Sequence, residues 1–198
     1  MRITVGISGA SGAIYAEKLI SHISESMERT YIIMTSTAEK VIQHELAGQT
    51  SLLLRCISGD LTPTEREKIR VFKNNDLFAP IASGTSVPDA MVIVPCSMGT
   101  LGRISGGLSS NLLERAADVI LKERKKLVLA VRESPLHTIH LQNMTKLSEL
   151  GAIITPLMPG FYNHPSTVDD IVEFMVGKIM DQVGLSHDFY KKWNSRML

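Results

Sequence analysis

The chain has 198 residues, 44% of them hydrophobic and 21% charged, with 21 Lys+Arg against 20 Asp+Glu. That length suits one domain spanning residues 1–198 with a two- or three-layer core, and the composition excludes a disordered chain. A net charge of +1 leaves no electrostatic footprint for nucleic acid or an anionic membrane, so any anionic ligand must be held by a local cluster.

Residues 3–7 form the first short apolar run rich in branched side chains and read as a buried strand; residues 13–27 then have room for a helix. A second strand is expected at 31–34. Residues 48–83 are less regular, mix polar and apolar positions around Pro63 and Pro80, and are expected to form short helices and an excursion from the sheet. Strands at 90–95, 127–131 and 152–154 follow, with helices at 111–124 and 136–150, the latter begun by Pro135. Ser166 and Thr167 are candidate caps for a helix over 168–183 that Gly184 closes, and a short helix is expected around 188–193, so C-terminal helices occupy about 167–194. Alternating strands and helices predict an α/β three-layer Rossmann- or flavodoxin-like sandwich with a mostly parallel sheet.

In such a sheet, ligands bind beyond the carboxyl ends of the strands, where loops expose backbone N–H groups. After the first strand comes Gly6-Ile7-Ser8-Gly9-Ala10-Ser11-Gly12, which is neither GxGxxG nor a P-loop. It suits equally a phosphate cradle or a tight turn. The second strand ends in Met34-Thr35-Ser36-Thr37 and the third in Pro95-Cys96-Ser97-Met98-Gly99-Thr100. Each hydroxyl group alone reads as a helix cap, but their recurrence on one rim fits a monophosphate flanked by a flat ring, which Met98 and small residues would face. The fourth strand runs into Arg132-Glu133-Ser134-Pro135, a cation and a carboxylate on the same rim.

Other features read as structure. His137 and His140 lie one helical turn apart without a third ligand, so no metal is expected. His44-Glu45 lacks the second histidine of a zincin, Cys96 reads as a buried thiol, and Asp169-Asp170 reads as a helix cap. Cys56 and Cys96 have no CxxC spacing, which fits a reducing cytosol. The N-terminus lacks the basic start of a signal peptide, and no apolar run reaches the roughly 20 residues of a membrane span, so a cytoplasmic location is expected.

Over nearly the whole chain the motifs GISGASGAIYA, APIASGTS, VIVPCSMGTL, NLLERAADVILKERKKLVLAVRESPL and HLQNMTKLSELGAIITPLMPGFYNHP, with the terminal Trp193, resemble the UbiX-like flavin prenyltransferases. The resemblance implies a flavodoxin-like or Rossmann-like fold, assembled as a dodecamer with active sites at subunit junctions. It implies that dimethylallyl monophosphate alkylates reduced FMN, that a second bond closes a fourth ring, and that prenylated FMN passes to a UbiD-like decarboxylase in quinone synthesis or aromatic acid breakdown. Carried over by motif, Gly9, Ala10, Ser11, Thr35 or Ser36, Ser97, Met98, Gly99, Thr100 and Arg132 would contact FMN. Lys122, Arg132, Tyr162 and Lys178 would clamp the prenyl phosphate, with Arg115 as a supporting cation. Glu45 and Glu133 resemble the acid/base carboxylates, with Ser11 and Lys122 beside them, and Trp193 resembles an aromatic that closes the site.

Departure of phosphate from an allylic carbon needs cations for the leaving oxygens and an electron-rich ring for the carbon, and ring closure needs a proton acceptor. Two departures stand out: Leu77 follows Asn75-Asp76 where some relatives carry an aromatic, and Lys178 replaces an arginine, keeping the charge without the bidentate fork. A flavin-dependent decarboxylase of cysteinyl substrates would carry a PAMN-like motif where this chain reads PCSMGTL. A non-catalytic FMN carrier or assembly subunit would need the rim without Lys122, Glu133 or Lys178.

Overall fold

A computed structural model describes residues 1–190. In chain order the elements are β1 (Arg2–Ile7), α1 (Ala13–Ile23), β2 (Arg29–Met34), α2 (Ser36–Glu45), α3 (Leu52–Ser58), α4 (Pro63–Lys68) and β3 (Ile69–Lys73). They continue with β4 (Ala90–Cys96), α5 (Met98–Ser105), α6 (Leu112–Lys122), β5 (Lys126–Val131), α7 (Thr138–Glu149), β6 (Ile153–Ile154) and α8 (Val168–Val183). The strands form one sheet in the order β3-β2-β1-β4-β5-β6, and every pairing is parallel. The order reverses between β1 and β4, which opens a crevice at their carboxyl ends.

Strand periodicity divides the core into two layers. Ala90, Val92 and Val94 of β4 pack toward α1, α3 and α8, while Met91, Ile93 and Cys96 pack toward α5 and α6. Val128 and Ala130 of β5 join the first layer and Leu127, Leu129 and Val131 the second. Both faces of the central strands are buried, so their sequences read as continuous apolar runs.

Residues 48–83 differ from the expected excursion: β3 is an edge strand of the same sheet, paired with β2 from Thr30↔Ile69 to Met34↔Lys73. Exposed Arg70 and Lys73 interrupt its apolar pattern, as charged residues commonly do on an edge strand. The helix after β5 begins at Thr138 rather than Pro135, because His137 is extended at the cap (φ −102°, ψ 170°) and Leu136 packs against the second core layer. The first helix stops at Ile23, short of Met27. Thr167 caps α8 in a capping box with Asp170, and Gly184 (φ 83°) ends the helix, as its sequence pattern predicts. The short helix expected at 188–193 lies largely outside the described residues, and residues 188–190 are not helical.

Candidate functional site at the carboxyl edge of the sheet

The loop after β1 is held from both sides. The Ser8 hydroxyl donates to the Pro95 carbonyl at 2.9 Å and accepts from the Ser97 N–H at 2.7 Å, which ties it to the end of β4. Gly9 lies against α2 so closely that a Cβ there would sit 2.4 Å from Thr37 Cγ2. At the far end of α2, the Glu45 carboxylate accepts the N–H groups of Gly12 (2.9 Å) and Ala13 (2.8 Å). Gly12 is the N-cap of α1 and has no side chain of its own, so Glu45 supplies the missing cap.

Burial alone would raise the Glu45 carboxyl, but the Ser11 hydroxyl, the Ala13 and Gly12 N–H groups and the Arg132 charge outweigh it and lower its pKa. Arg132 donates from Nε to the Ser11 carbonyl at 3.2 Å, and Glu133 follows it, its carboxylate accepting the Ser134 N–H at 3.1 Å. Ser11, Glu45 and Arg132, drawn from three separate segments, therefore meet at one lip of the β1–β4 crevice, and Glu133 is next to Arg132 in the chain.

Beside that lip lies a cavity of roughly 370 Å³, lined by Gly9, Thr35–Thr37, Ser97, Gly99 and Thr100, with Asn74, Arg103 and Asn111 behind them. Thr35 caps α2 by accepting the Ala38 N–H at 3.1 Å, and Ser97 caps α5 by accepting that of Thr100 at 3.4 Å. The cap and ligand readings are compatible at Thr35, because capping uses its oxygen as acceptor and leaves the hydroxyl proton for donation, whereas the Ser97 hydroxyl already donates to Thr100 Oγ1 at 3.2 Å. Met98 is 7% exposed and packs in the second core layer, so it offers its backbone and not the ring-facing thioether expected.

Arg103, Asn111 and Asn74 carry no motif of their own. Arg103 is anchored by Glu114, which is 1% exposed and also accepts Ser110 N–H at 2.9 Å and Asn111 Nδ2 at 2.8 Å. Burial would raise the Glu114 carboxyl, but these donors, Arg103 first, lower it. One buried carboxylate thus orients two polar side chains of the cavity. The signal available in the sequence was the Arg103–Glu114 spacing across a Gly-rich turn. Asn74 follows β3, the strand the sequence pattern concealed.

The remaining expected residues fall into two other groups. Tyr162, in the loop after β6, meets Phe174 edge-on at 5.6 Å, and the Lys178 ammonium lies 5.7 Å from the Phe174 ring and 5.2 Å from Tyr190. Arg115 and Lys122 share one face of α6 and line a shallow hollow with Ala82–Thr85, where Lys122 pairs with Glu123 and Arg115 with Asp118. α6 starts beside the cavity and runs about 16 Å away from it, so Lys122 stands at the opposite edge of the sheet from Arg132. Trp193 lies outside the described residues.

The discounted features are structural. Burial pushes the Cys56 and Cys96 thiols up to about 12. The Asp170 carboxyl is lowered to about 2, first by the Ser166 N–H it accepts. The His137 and His140 rings stack at 3.4 Å, and no group of three or more His, Cys, Asp or Glu suited to a metal occurs among the described residues.

A parallel sheet of this order, with a hydroxyl-lined cavity at its switch point that holds no carboxylate among the described residues, defines an α/β protein with a site suited to an anionic group there. The Flavoprotein family model matches residues 1–180, and the flavin prenyltransferase UbiX of Alkalihalophilus pseudofirmus is 45% identical over 194 residues, 96% of this chain and 95% of the relative. The chain belongs to the Flavoprotein family and, within it, to the UbiX flavin prenyltransferases. Among solved structures, AnUbiX (PadA1) in complex with FMN and dimethylallyl pyrophosphate superposes with a TM-score of 0.87 at 35% identity, covering 98% of this chain and 97% of that one. The dodecameric FMN-dependent UbiX-like decarboxylase from Escherichia coli O157:H7 gives the same TM-score at 39% identity, covering 98% and 100%.

Proposed function

We propose that this chain is a flavin prenyltransferase. It joins the dimethylallyl group of dimethylallyl monophosphate to reduced FMN and releases phosphate and prenylated FMN for a UbiD-like decarboxylase. The observation that carries the reading is the meeting of Ser11, Glu45 and Arg132 at the lip of a cavity whose lining, among the described residues, holds hydroxyls, amides and Arg103 but no carboxylate. The donor set fits FMN: the phosphate belongs in the cavity, and the ring belongs toward the lip, where the carboxylates would repel phosphate. When bound, reduced FMN supplies the electron-rich acceptor.

The chain's own groups divide the remaining work. Gly9, Ala10, Ser11, Thr35 or Ser36, the backbone of Ser97–Thr100 and Arg132 hold the flavin. Glu45 is the ionised partner of Ser11 and Arg132, and Glu133, with its second oxygen outside the Ser134 hydrogen bond, is the carboxylate placed to take a proton. Arg132, Lys178 and Lys122, with Arg115 as a supporting cation, neutralise the leaving phosphate and Tyr162 donates a hydrogen bond to it; Trp193, outside the described residues, is assigned the closing aromatic by family resemblance alone. Since Lys122 and Arg132 stand at opposite edges of the sheet, a complete site draws on neighbouring copies in a homo-oligomer, a dodecamer on this reading. Residues 1–198 form one flavin-binding domain, working in the cytoplasm, where buried reduced thiols at Cys56 and Cys96 are at home.

Anaerobic incubation with reduced FMN and dimethylallyl monophosphate, followed by mass analysis of the flavin, tests the activity; an unaltered flavin mass overturns it. Glu133→Gln is expected to keep FMN and slow product formation. Loss of flavin with normal turnover of the remainder would make Glu133 structural.

A further inference from the structure

The segment that follows α8 does not run away from the helix. It doubles back, so that His187 and Tyr190 lie against the helix that precedes them. Tyr190 is tied to Asp181 in the last turns of α8, whose Oδ2 accepts its hydroxyl, while Oδ1 lies 3.3 Å from His187 Nε2 without a hydrogen bond between them. The His187 side chain is only 2% exposed, and its ring packs on Tyr190 with centroids 4.8 Å apart.

The helix is shaped to receive this segment. Gly177 stands in the middle of α8, where glycine disfavours the helix relative to alanine. A Cβ there would lie 2.6 Å from Tyr190 Cε1 and 2.7 Å from His187 Cε1. The missing methyl is the notch that lets both rings seat. Once seated, the Tyr190 ring packs on Phe174 at 5.0 Å and faces the Lys178 ammonium at 5.2 Å, with Tyr162 on the other side of Phe174.

We infer that Asp181 and Gly177 are positioning residues for the prenyl-phosphate clamp: the carboxylate and the notch dock Tyr190 beside Lys178, fixing an otherwise loose lysine between two aromatic rings. The inference rests on the reading of Lys178 and Tyr162 as that clamp. Two ring faces hold the ammonium by cation–π attraction and narrow its rotamers, so less conformational freedom is lost when a phosphate binds.

The test is calorimetric binding of dimethylallyl monophosphate to the protein loaded with oxidised FMN, which does not turn over, together with FMN affinity and thermal midpoint. Asp181→Asn keeps the side-chain shape but removes the negative charge and one of the two acceptor oxygens of the carboxylate that holds the Tyr190 hydroxyl. It is expected to weaken dimethylallyl monophosphate binding roughly five- to tenfold, with FMN affinity unchanged and Asp181→Glu recovering part of the loss. Gly177→Ala is expected to weaken the same binding while the helix itself gains propensity, a combination that general destabilisation does not produce. Parallel losses of FMN and dimethylallyl monophosphate affinity, or unchanged affinity for both, would overturn the positioning role. Lys178→Gln separates the two levels: if it weakens dimethylallyl monophosphate binding while Asp181→Asn and Gly177→Ala do not, the clamp stands and the inference falls. If Lys178→Gln has no effect, the clamp reading itself is wrong and the inference falls with it.

Discussion

Glu45 illustrates how one carboxylate at the end of α2 organises a loop that lies far from it in sequence. It caps α1 across a gap of 33 residues and stays ionised because its donors outweigh its burial. A carboxyl with a depressed folded pKa stabilises the fold above its unfolded value of about 4.3, and the contribution fades as pH falls through the folded value. Glu45→Gln should therefore lower stability by about 1–2 kcal/mol at neutral pH, with the difference from the unmodified protein shrinking as pH falls below the ordinary carboxylate range; thermal unfolding across an acid pH series checks it. Arg103 offers a second test at this scale. Among the described residues its guanidinium is the one cation in the cavity lining, so Arg103→Gln should weaken FMN binding by roughly tenfold or more while riboflavin, which lacks the phosphate, is nearly unaffected. Fluorescence titration with both flavins measures the ratio. The hydroxyl residues of the site were legible in the sequence because they cluster after strands. Arg103, Asn111 and Asn74 were not, since each acquires its place through Glu114 or through β3.

At the scale of elements, the apolar runs of β1, β2, β4 and β5 predicted their strands because both sheet faces are covered, so no alternation with polar residues obscured them. β3 escaped because an edge strand carries charges, and α3 owes its start to a residue elsewhere: Glu17 of α1 accepts the Leu52 and Leu53 N–H groups at 2.8 and 2.9 Å. The contact between the β1 loop and α2 is the most exacting packing around the cavity. Gly9→Ala places a methyl group inside Thr37 and should move the loop or the start of α2, with a loss of flavin affinity larger than the loss of stability. The double variant Gly9→Ala/Thr37→Gly, which removes both opposing carbons, Cγ2 at 2.4 Å and Cβ at 2.6 Å, should recover binding, and comparing flavin titration with thermal unfolding distinguishes the two effects.

At the scale of the molecule, the three groups of site residues and the exposed apolar side chains point the same way. Phe78 is 99% exposed, Phe161 65%, Met158 64% and Ile139 62%, large apolar side chains that a neighbouring copy could cover. Light scattering should find a large assembly. If the clamp spans copies, mixing separately inactive Lys122→Gln and Arg132→Gln chains through dissociation and reassembly should restore activity at about a quarter of the sites, as random pairing dictates. No recovery in verified mixed assemblies would place both residues on one chain's site. No described helix is long and apolar enough to cross a membrane. What the sequence by itself determined was the alternation of strands and helices, the hydroxyl and glycine loops after β1, β2 and β4, and the family, because these depend on local patterns that packing reinforces. What only the tertiary structure decided was the strand order, the edge position of β3, the union of Ser11, Glu45 and Arg132, and the separation of Lys122 from them. Those depend on which elements lie side by side, a property fixed by burial of the two core layers and invisible in the spacing along the chain.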